Sequence, residues 1–198
     1  MGRIGDLVKH FQDGDNLPVD VNDVLIKIKE TGLDVEVEFI GVELDTEILR
    51  GKYRLFEWPN GFYGGDPSLM ANIYYHNADD SGWQRFVCCK ELTHLLDDPQ
   101  FNTSTREQQI NLAESVGVPL RLHDPSTAPI EVNIDFIAES VATALLFPRA
   151  ARDLFVEPFA QKKLRIEDIA MIADIPEIYV SMAMRPFWPN INARLLNL

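Results

Sequence analysis

The hydrophobic pattern changes its period at Trp83, and this change constrains the fold more than any other feature of the chain. Before Trp83, residues 34–44 alternate between apolar and acidic side chains, which predicts a strand with one solvated face. Residues 51–65 are typical of a hairpin that turns at Pro59-Asn60-Gly61, and residues 70–76 predict a further strand. After Trp83 the apolar residues recur at helical spacing. With strands early and helices late, the sequence predicts an α+β protein.

Apolar residues at helical spacing predict helices in both halves of the chain. The predicted helices cover residues 2–11, 19–32, 82–98, 104–117 and 131–147, followed by two short helices within 165–187 that join at Asp174-Ile175-Pro176. Pro99 and Pro148 end the two long apolar helices, because proline cannot continue a helix. The last pair has the rhythm of a helix-turn-helix, and we interpret it as a packing unit, since its second helix offers only Arg185 to a phosphate.

The charge balance excludes two classes of function. The chain has 18 basic and 31 acidic side chains and a net charge of −13, so we expect no direct binding to nucleic acid and no adhesion to an anionic membrane. Its two cysteines, Cys88 and Cys89, are adjacent and cannot form a disulfide framework. The first residues lack the apolar core of a signal peptide, and no apolar run is long enough to span a bilayer. We therefore expect a cytoplasmic protein.

The segment Lys90-Glu91-Leu92-Thr93-His94 contains half of a metal-binding pattern. In a zinc peptidase the spacing is His-Glu-x-x-His, because residues four apart share a helix face and the glutamate activates the metal-bound water. On the following apolar helix, Asp135 and Glu139 are also four residues apart, and acids on a buried helix need a positive partner. On these residues alone, His94 is better explained as a helix residue bonded to a neighbouring carbonyl than as a metal ligand.

Three motifs of the chain resemble those of one family. The segment RFVCCKELTHLLDD resembles the Arg-Phe-x-x-Ala-His-Glu-Leu-x-His-Leu-Leu segment of the ImmA/IrrE family of metallo-endopeptidases. The segment DFIAESVATALLFP resembles that family's second signature, and IEDIAMIADIPEIYVSMAMR resembles its C-terminal helical hairpin. The resemblance runs from about Val19 to Arg185 with the motifs in the family's order.

The resemblance implies a zincin-like metallopeptidase fold, with a small sheet packed on helices and a C-terminal helical hairpin. Residues 1–150 would form the zincin-like domain with an insertion at about 99–130, and residues 151–198 a helical extension packed on it as one structural unit. The resemblance also assigns the site. Glu91 falls on the catalytic glutamate, His94 on the second zinc histidine, Asp135 on the carboxylate ligand and Glu139 on the acid behind the ligands, whereas Lys90 falls on the first zinc histidine.

Lys90 decides between the functions that the resemblance implies. A protonated lysine has no lone pair for a metal, so we predict that its ammonium takes the place of zinc and neutralises Glu91 and Asp135. The chain would then be a catalytically impaired or inactive homologue that binds a protein partner as a regulatory module, as on a prophage or other mobile element. The alternative is an active zinc-dependent endopeptidase that cleaves a helix-turn-helix repressor or similar regulator.

A zinc ion would need another donor in place of Lys90. Cys89 points away from the face of Lys90, while His76 and His123 stand in less regular segments and could donate from elsewhere. A further hypothesis, an acidic decoy that mimics DNA, rests on the net charge alone.

Overall fold

A computed structural model describes residues 3–46, 49–58, 68–97 and 130–198. This part of the chain contains one three-stranded sheet and eight α-helices, which confirms the predicted α+β class. The strands are β1 (Val35–Val42), β2 (Gly51–Trp58) and β3 (Ser68–His76). The helices are α1 (Arg3–Phe11), α2 (Val21–Glu30), α3 (Ser81–Thr93), α4 (Ile130–Leu146), α5 (Arg149–Ala160), α6 (Ile166–Ala173), α7 (Glu177–Ala183) and α8 (Trp188–Leu195).

Strand β3 is the centre of the sheet. It pairs in parallel with β1, with Val35 opposite Leu69, and antiparallel with β2, with Gly51 opposite Tyr75. The chain then leaves β3 and enters α3, so the helix that carries the Lys90 motif starts directly after the central strand and packs against it. The predicted turn at Pro59-Asn60-Gly61, the predicted helix over residues 104–117 and the predicted insertion at about 99–130 lie almost wholly outside the described residues.

The helix boundaries follow local chemistry that is readable in the sequence. The Asp80 side chain caps α3 by accepting a 2.9 Å hydrogen bond from the backbone N–H of Trp83. Gly32, at φ +89°, follows α2 in the left-handed region that glycine adopts without strain. Asp174, at φ 50°, ends α6 in the same region, and α7 begins after Pro176. The predicted pair of short helices joined at this turn is confirmed.

The C-terminal helices share the core of the rest of the molecule. Trp188 and Leu195 of α8 belong to the same buried apolar cluster as Leu7 of α1 and Ile73 of β3. Helix α3 packs against α4, strands β2 and β3, and α2. Within the described ranges, no helix combines the length and the apolar character needed to cross a bilayer.

Candidate functional site

The candidate site lies at the C-terminal end of α3, where this helix faces α4. The contact follows from the sequence pattern, because both helices carry long apolar faces that need burial. Phe86, Cys89 and Leu92 of α3 and Val141 and Leu145 of α4 are buried in one cluster. The polar residues of the two motifs are therefore held beside a close-packed interface.

Lys90 joins the two helices through an ion pair. Its Nζ lies 2.6 Å from Oδ1 of Asp135 on α4 and 3.2 Å from Oε1 of Glu91 on its own helix. The Lys90 and Asp135 side chains are only 16% and 23% exposed. Burial alone would lower the pKa of Lys90, but Asp135 and Glu91 more than offset it and hold that pKa well above the usual value. These two carboxylates therefore favour the protonated form of Lys90 inside the site.

Glu91 is the most deeply buried acid of the site. It is 4% exposed, and its Oε1 contacts the Lys90 ammonium at 3.2 Å without meeting the geometry of a hydrogen bond with any described residue. The start of β2 passes close above it, because Gly51 has no side chain there. A Cβ at Gly51 would lie 3.4 Å from Oε1 of Glu91 and 2.1 Å from Cγ1 of Val87. Glu91 is thus enclosed between the sheet and its own helix.

His94 completes the ring of charges around Asp135. It caps α3 at the start of a short 3₁₀ turn, and its side chain is 10% exposed. Its Nε2 lies 3.7 Å from Oδ1 of Asp135, and its Nδ1 lies 2.7 Å from Oδ2 of Asp97. The Tyr53 ring of β2 stacks on the imidazole with centroids 5.6 Å apart. The ring is fixed on both nitrogen edges and on one face.

The two cations set the protonation states of the site. Burial alone would lower the pKa of His94, but Asp135 and Asp97 together raise it to about 9. Burial alone would raise the pKa of Asp135, but Lys90 and His94 hold it well below its usual range. At neutral pH the site therefore contains an ammonium and an imidazolium against ionised Asp135.

Glu139 lies one helical turn beyond Asp135 on α4, and its partner comes from α7, one of the C-terminal helices. Its Oε1 accepts a 3.0 Å hydrogen bond from the hydroxyl of Tyr179 on α7. Burial and the nearby charge of Asp135 raise the pKa of Glu139. The Tyr179 ring stacks on Phe86 of α3, with centroids 3.5 Å apart. The resemblance implies that Glu139 supports a metal ligand, whereas in the structure its carboxylate accepts a hydrogen bond from Tyr179.

The structure brings Lys90, Glu91, His94, Asp135 and Glu139 together. The spacing along each helix predicts only the residues that share its face, and the meeting of the two helices is implied by the resemblance. Sequence reasoning missed three partners: Tyr53, Asp97 and Tyr179. Only Asp97 had a local signal, because it follows His94 by three residues in the same segment. The other two come from β2 and α7, and no spacing rule connects those elements to the motif.

The other histidines and the cysteines considered as metal donors lie in different surroundings. The Nδ1 atom of His76 accepts a 3.0 Å hydrogen bond from the backbone N–H of Leu44, and His123 lies outside the described residues. Cys88 and Cys89 are free and buried, and burial raises the pKa of both thiols, that of Cys88 to about 12. These cysteines are therefore core residues rather than thiolate nucleophiles or ligands.

The donors of the site do not fit the zinc site that the resemblance implies. Such a site needs three protein ligands with free lone pairs and one open position. Here Nζ of Lys90 donates a hydrogen bond to the carboxylate oxygen that a metal would use, and both ring nitrogens of His94 face carboxylates, Nδ1 at 2.7 Å from Asp97 and Nε2 at 3.7 Å from Asp135. Among the residues that the structure describes, no group of three or more His, Cys, Asp or Glu side chains is arranged to hold a metal ion.

Comparisons of the chain with protein-family models, with curated proteins and with solved structures found no match.

Proposed function

We propose that this chain is an ImmA/IrrE-like protein that keeps the framework of a metallopeptidase without its hydrolytic chemistry and acts as a regulatory module that binds another protein. The observation that carries the proposal is the 2.6 Å contact between Nζ of Lys90 and Oδ1 of Asp135. In the family pattern these two positions are both metal ligands. Here they bind each other.

The charges of the site support this proposal. Zn²⁺ would have to enter beside a lysine whose pKa is raised and a histidine whose pKa is about 9. Because metal ligands must be deprotonated, binding at neutral pH would cost the removal of the His94 proton and the separation of Lys90 from Asp135. The ammonium already supplies the positive charge that the buried carboxylates need.

The competing function is an active zinc-dependent endopeptidase that cleaves a helix-turn-helix repressor or similar regulator. One observation favours it: Glu91, His94 and Asp135 do meet at one end of α3. In that case Glu91 would act as the base, and a further ligand would have to replace Lys90. His123 lies outside the described residues, so a donor from that segment belongs to this alternative.

Zinc content separates the two functions. We expect the purified chain to contain substoichiometric zinc by elemental analysis and Lys90→His to increase zinc uptake, because it supplies the missing imidazole. The matched control is Lys90→Gln, which removes the same charge without adding a nitrogen ligand. A full equivalent of zinc in the unaltered chain, lost in both His94→Ala and Asp135→Asn, would overturn the proposal and favour the peptidase, which cleavage of a regulator would then establish.

The partner in this proposal is a protein rather than a nucleic acid or a membrane. The net charge of −13 suits a basic partner, such as a helix-turn-helix regulator, and opposes phosphate-rich surfaces. A reducing compartment, the cytoplasm, suits the free thiols of Cys88 and Cys89. With a candidate regulator in hand, Glu91→Gln should leave binding intact, whereas an enzyme would lose cleavage of that regulator.

A further inference from the structure

A second feature of the molecule is a groove on the C-terminal helical pair, lined by none of the residues of the Lys90 site. It lies where the N-terminal end of α3, from Asp80 to Trp83, meets the turn between α6 and α7. Its volume is about 470 Å³, within the usual range of ligand-binding clefts. All of its lining residues belong to the described part of the chain.

The groove is lined by exposed apolar side chains. Met171 of α6 is 78% exposed and Ile178 of α7 is 63% exposed. They are the two most exposed large apolar side chains among the described residues, and both line this one groove. Isolated apolar residues on a surface need no explanation, but a shared position in a groove is typical of a protein-binding surface. Methionine is common on such surfaces because its flexible side chain adapts to a partner.

The charge around the groove has one sign. The carboxylates of Asp80, Glu167, Asp174 and Glu177 line it, and no lysine, arginine or histidine does. Two arginines outside the lining approach this set. Arg85 pairs with Asp174 at 3.1 Å, and Arg165 lies 3.9 Å from Glu167.

Hydrogen bonds within the chain engage two of these four carboxylates, and Glu167 makes a looser ion pair with Arg165 at 3.9 Å. Asp80 caps α3, and Asp174 is held by Arg85 and by the hydroxyl of Ser81. Glu167 and Glu177 are exposed, in the first turns of α6 and α7. Apolar anchors beside exposed acids form the complement of a helix with one apolar and one basic face.

We propose that this groove docks a basic amphipathic helix of a partner protein. The apolar face of that helix packs on Met171 and Ile178, and its lysines or arginines approach Glu167 and Glu177. A second copy of this chain is the weaker occupant, because each copy carries a net charge of −13 and brings the same acidic groove. The inference rests on the proposed function in one respect: it gives the protein partner a place to bind.

A synthetic peptide of leucine and lysine, with the leucines on one helical face, is the probe for the groove. We expect the full chain to bind it, and Met171→Ser with Ile178→Ser to weaken binding by at least about tenfold through lost apolar burial. The matched control is Ile26→Ser with Leu154→Ser, since these residues are 56% and 61% exposed and lie outside the groove. Circular dichroism checks that each variant is folded.

A second pair of variants tests the charge. Glu167→Gln with Glu177→Gln should weaken binding about fivefold at low salt and less at high salt, as for exposed ion pairs. Asp6→Asn with Asp23→Asn removes the same charge from the first turns of α1 and α2 and should leave affinity within about twofold. If the groove pairs and the control pairs changed the affinity for the peptide equally, the inference would be overturned, because binding would then not depend on the groove.

Two readouts separate the failure of this inference from the failure of the proposed function. Zinc-dependent cleavage of a peptide that binds in the groove would end the proposal of an inert site and leave the groove standing. If the chain is free of zinc and the groove variants bind the peptide as well as the unaltered chain does, the groove is wrong and the proposal of an inert site still stands. Amide chemical-shift changes centred on α6 and α7 support the groove, and changes centred elsewhere overturn it. Dimerisation of the chain alone, abolished by Met171→Ser with Ile178→Ser, would assign the groove to a second copy instead.

Discussion

The hydroxyl of Tyr179 on α7 donates a 3.0 Å hydrogen bond to Oε1 of Glu139 on α4. The same tyrosine ring lies flat against Phe86 of α3, with 12° between the planes. One side chain therefore connects the C-terminal helices to both helices of the Lys90 site. The arrangement makes the position of the acidic face of α4 depend on α7, which lies far from it in sequence.

Tyr179→Phe should test this connection, because it removes the hydroxyl and keeps the stacked ring. We expect the free energy of unfolding at neutral pH to fall by about 1–2 kcal/mol, since half-buried Glu139 would lose its hydrogen-bond donor. Urea unfolding measures the change. In a Glu139→Ala background, which removes the acceptor, the same substitution should cost clearly less. Equal costs in the two backgrounds would show that the hydroxyl acts through another contact.

Lys90→Met should be the most destabilising of the conservative changes at the site. It keeps the length of the side chain but leaves the carboxylates of Asp135 and Glu91 without their ammonium. We expect a loss of about 3 kcal/mol, toward the low end for a broken buried pair, because Asp135 retains some exposure. Urea unfolding of Lys90→Met, Asp135→Asn and the double variant forms the cycle.

The stability of the Lys90→Met, Asp135→Asn double variant shows whether the two side chains stabilise each other. Once Asp135 is neutral, the loss of Lys90 removes a charge that no longer has its main partner, so we expect the double variant to be more stable than the sum of the two losses predicts. Strict additivity would mean that the ammonium and the carboxylate do not stabilise each other.

The raised pKa of His94 predicts a decline in stability at alkaline pH. The ordinary histidine value is 6.5, and the folded value is about 9. The folded state thus holds the proton more tightly. The contribution of the imidazolium is complete below pH 6.5, decreases as pH rises through the interval and is lost above about 9, for a total of about 3 kcal/mol.

Urea unfolding at several pH values from 6 to 9.5 checks this, with His94→Gln as the comparison. The buried thiols of Cys88 and Cys89 also disfavour the folded state as pH rises, but both proteins contain them. The difference between the two proteins therefore isolates His94. A difference that stays constant across the interval would mean that the folded and unfolded proteins bind this proton equally well.

Local signals predict much of the helical structure and fewer of its contacts. Helices α2 and α3 have side-chain caps at Asp20 and Asp80, and α4 ends before Pro148, so their limits are visible in the residues themselves. Helices α5 and α8 were not predicted. Helix α5 contains Pro158, which argues locally against a helix, and tertiary packing overrides that preference.

The sequence likewise predicts some features of the site and not others. Lys90, His94, Asp135 and Glu139 follow i, i+4 spacing on two apolar helices, and this periodicity predicts their shared faces. The stack of Tyr53 on His94 and the bond from Tyr179 to Glu139 depend on how β2 and α7 pack on α3 and α4. Such contacts come from three-dimensional packing, and sequence spacing carries no direct record of them.

Gly51→Ala should destabilise the protein by overpacking the start of β2 against α3. An added Cβ would lie 2.1 Å from Cγ1 of Val87, so the strand and the helix would have to separate. We expect a loss of about 1–3 kcal/mol in urea unfolding, as for other insertions into a close-packed interface. Val87→Ala alone leaves a small cavity and should also destabilise.

The Gly51→Ala, Val87→Ala double variant should recover part of the loss, because shortening Val87 frees the space that the new methyl group needs. The backbone oxygen of Tyr74, 3.2 Å from the added Cβ, limits this recovery. If the double variant were less stable than the sum of the single losses predicts, the close approach of β2 to α3 would be wrong. Partial recovery would support the enclosure of Glu91 between the strand and the helix.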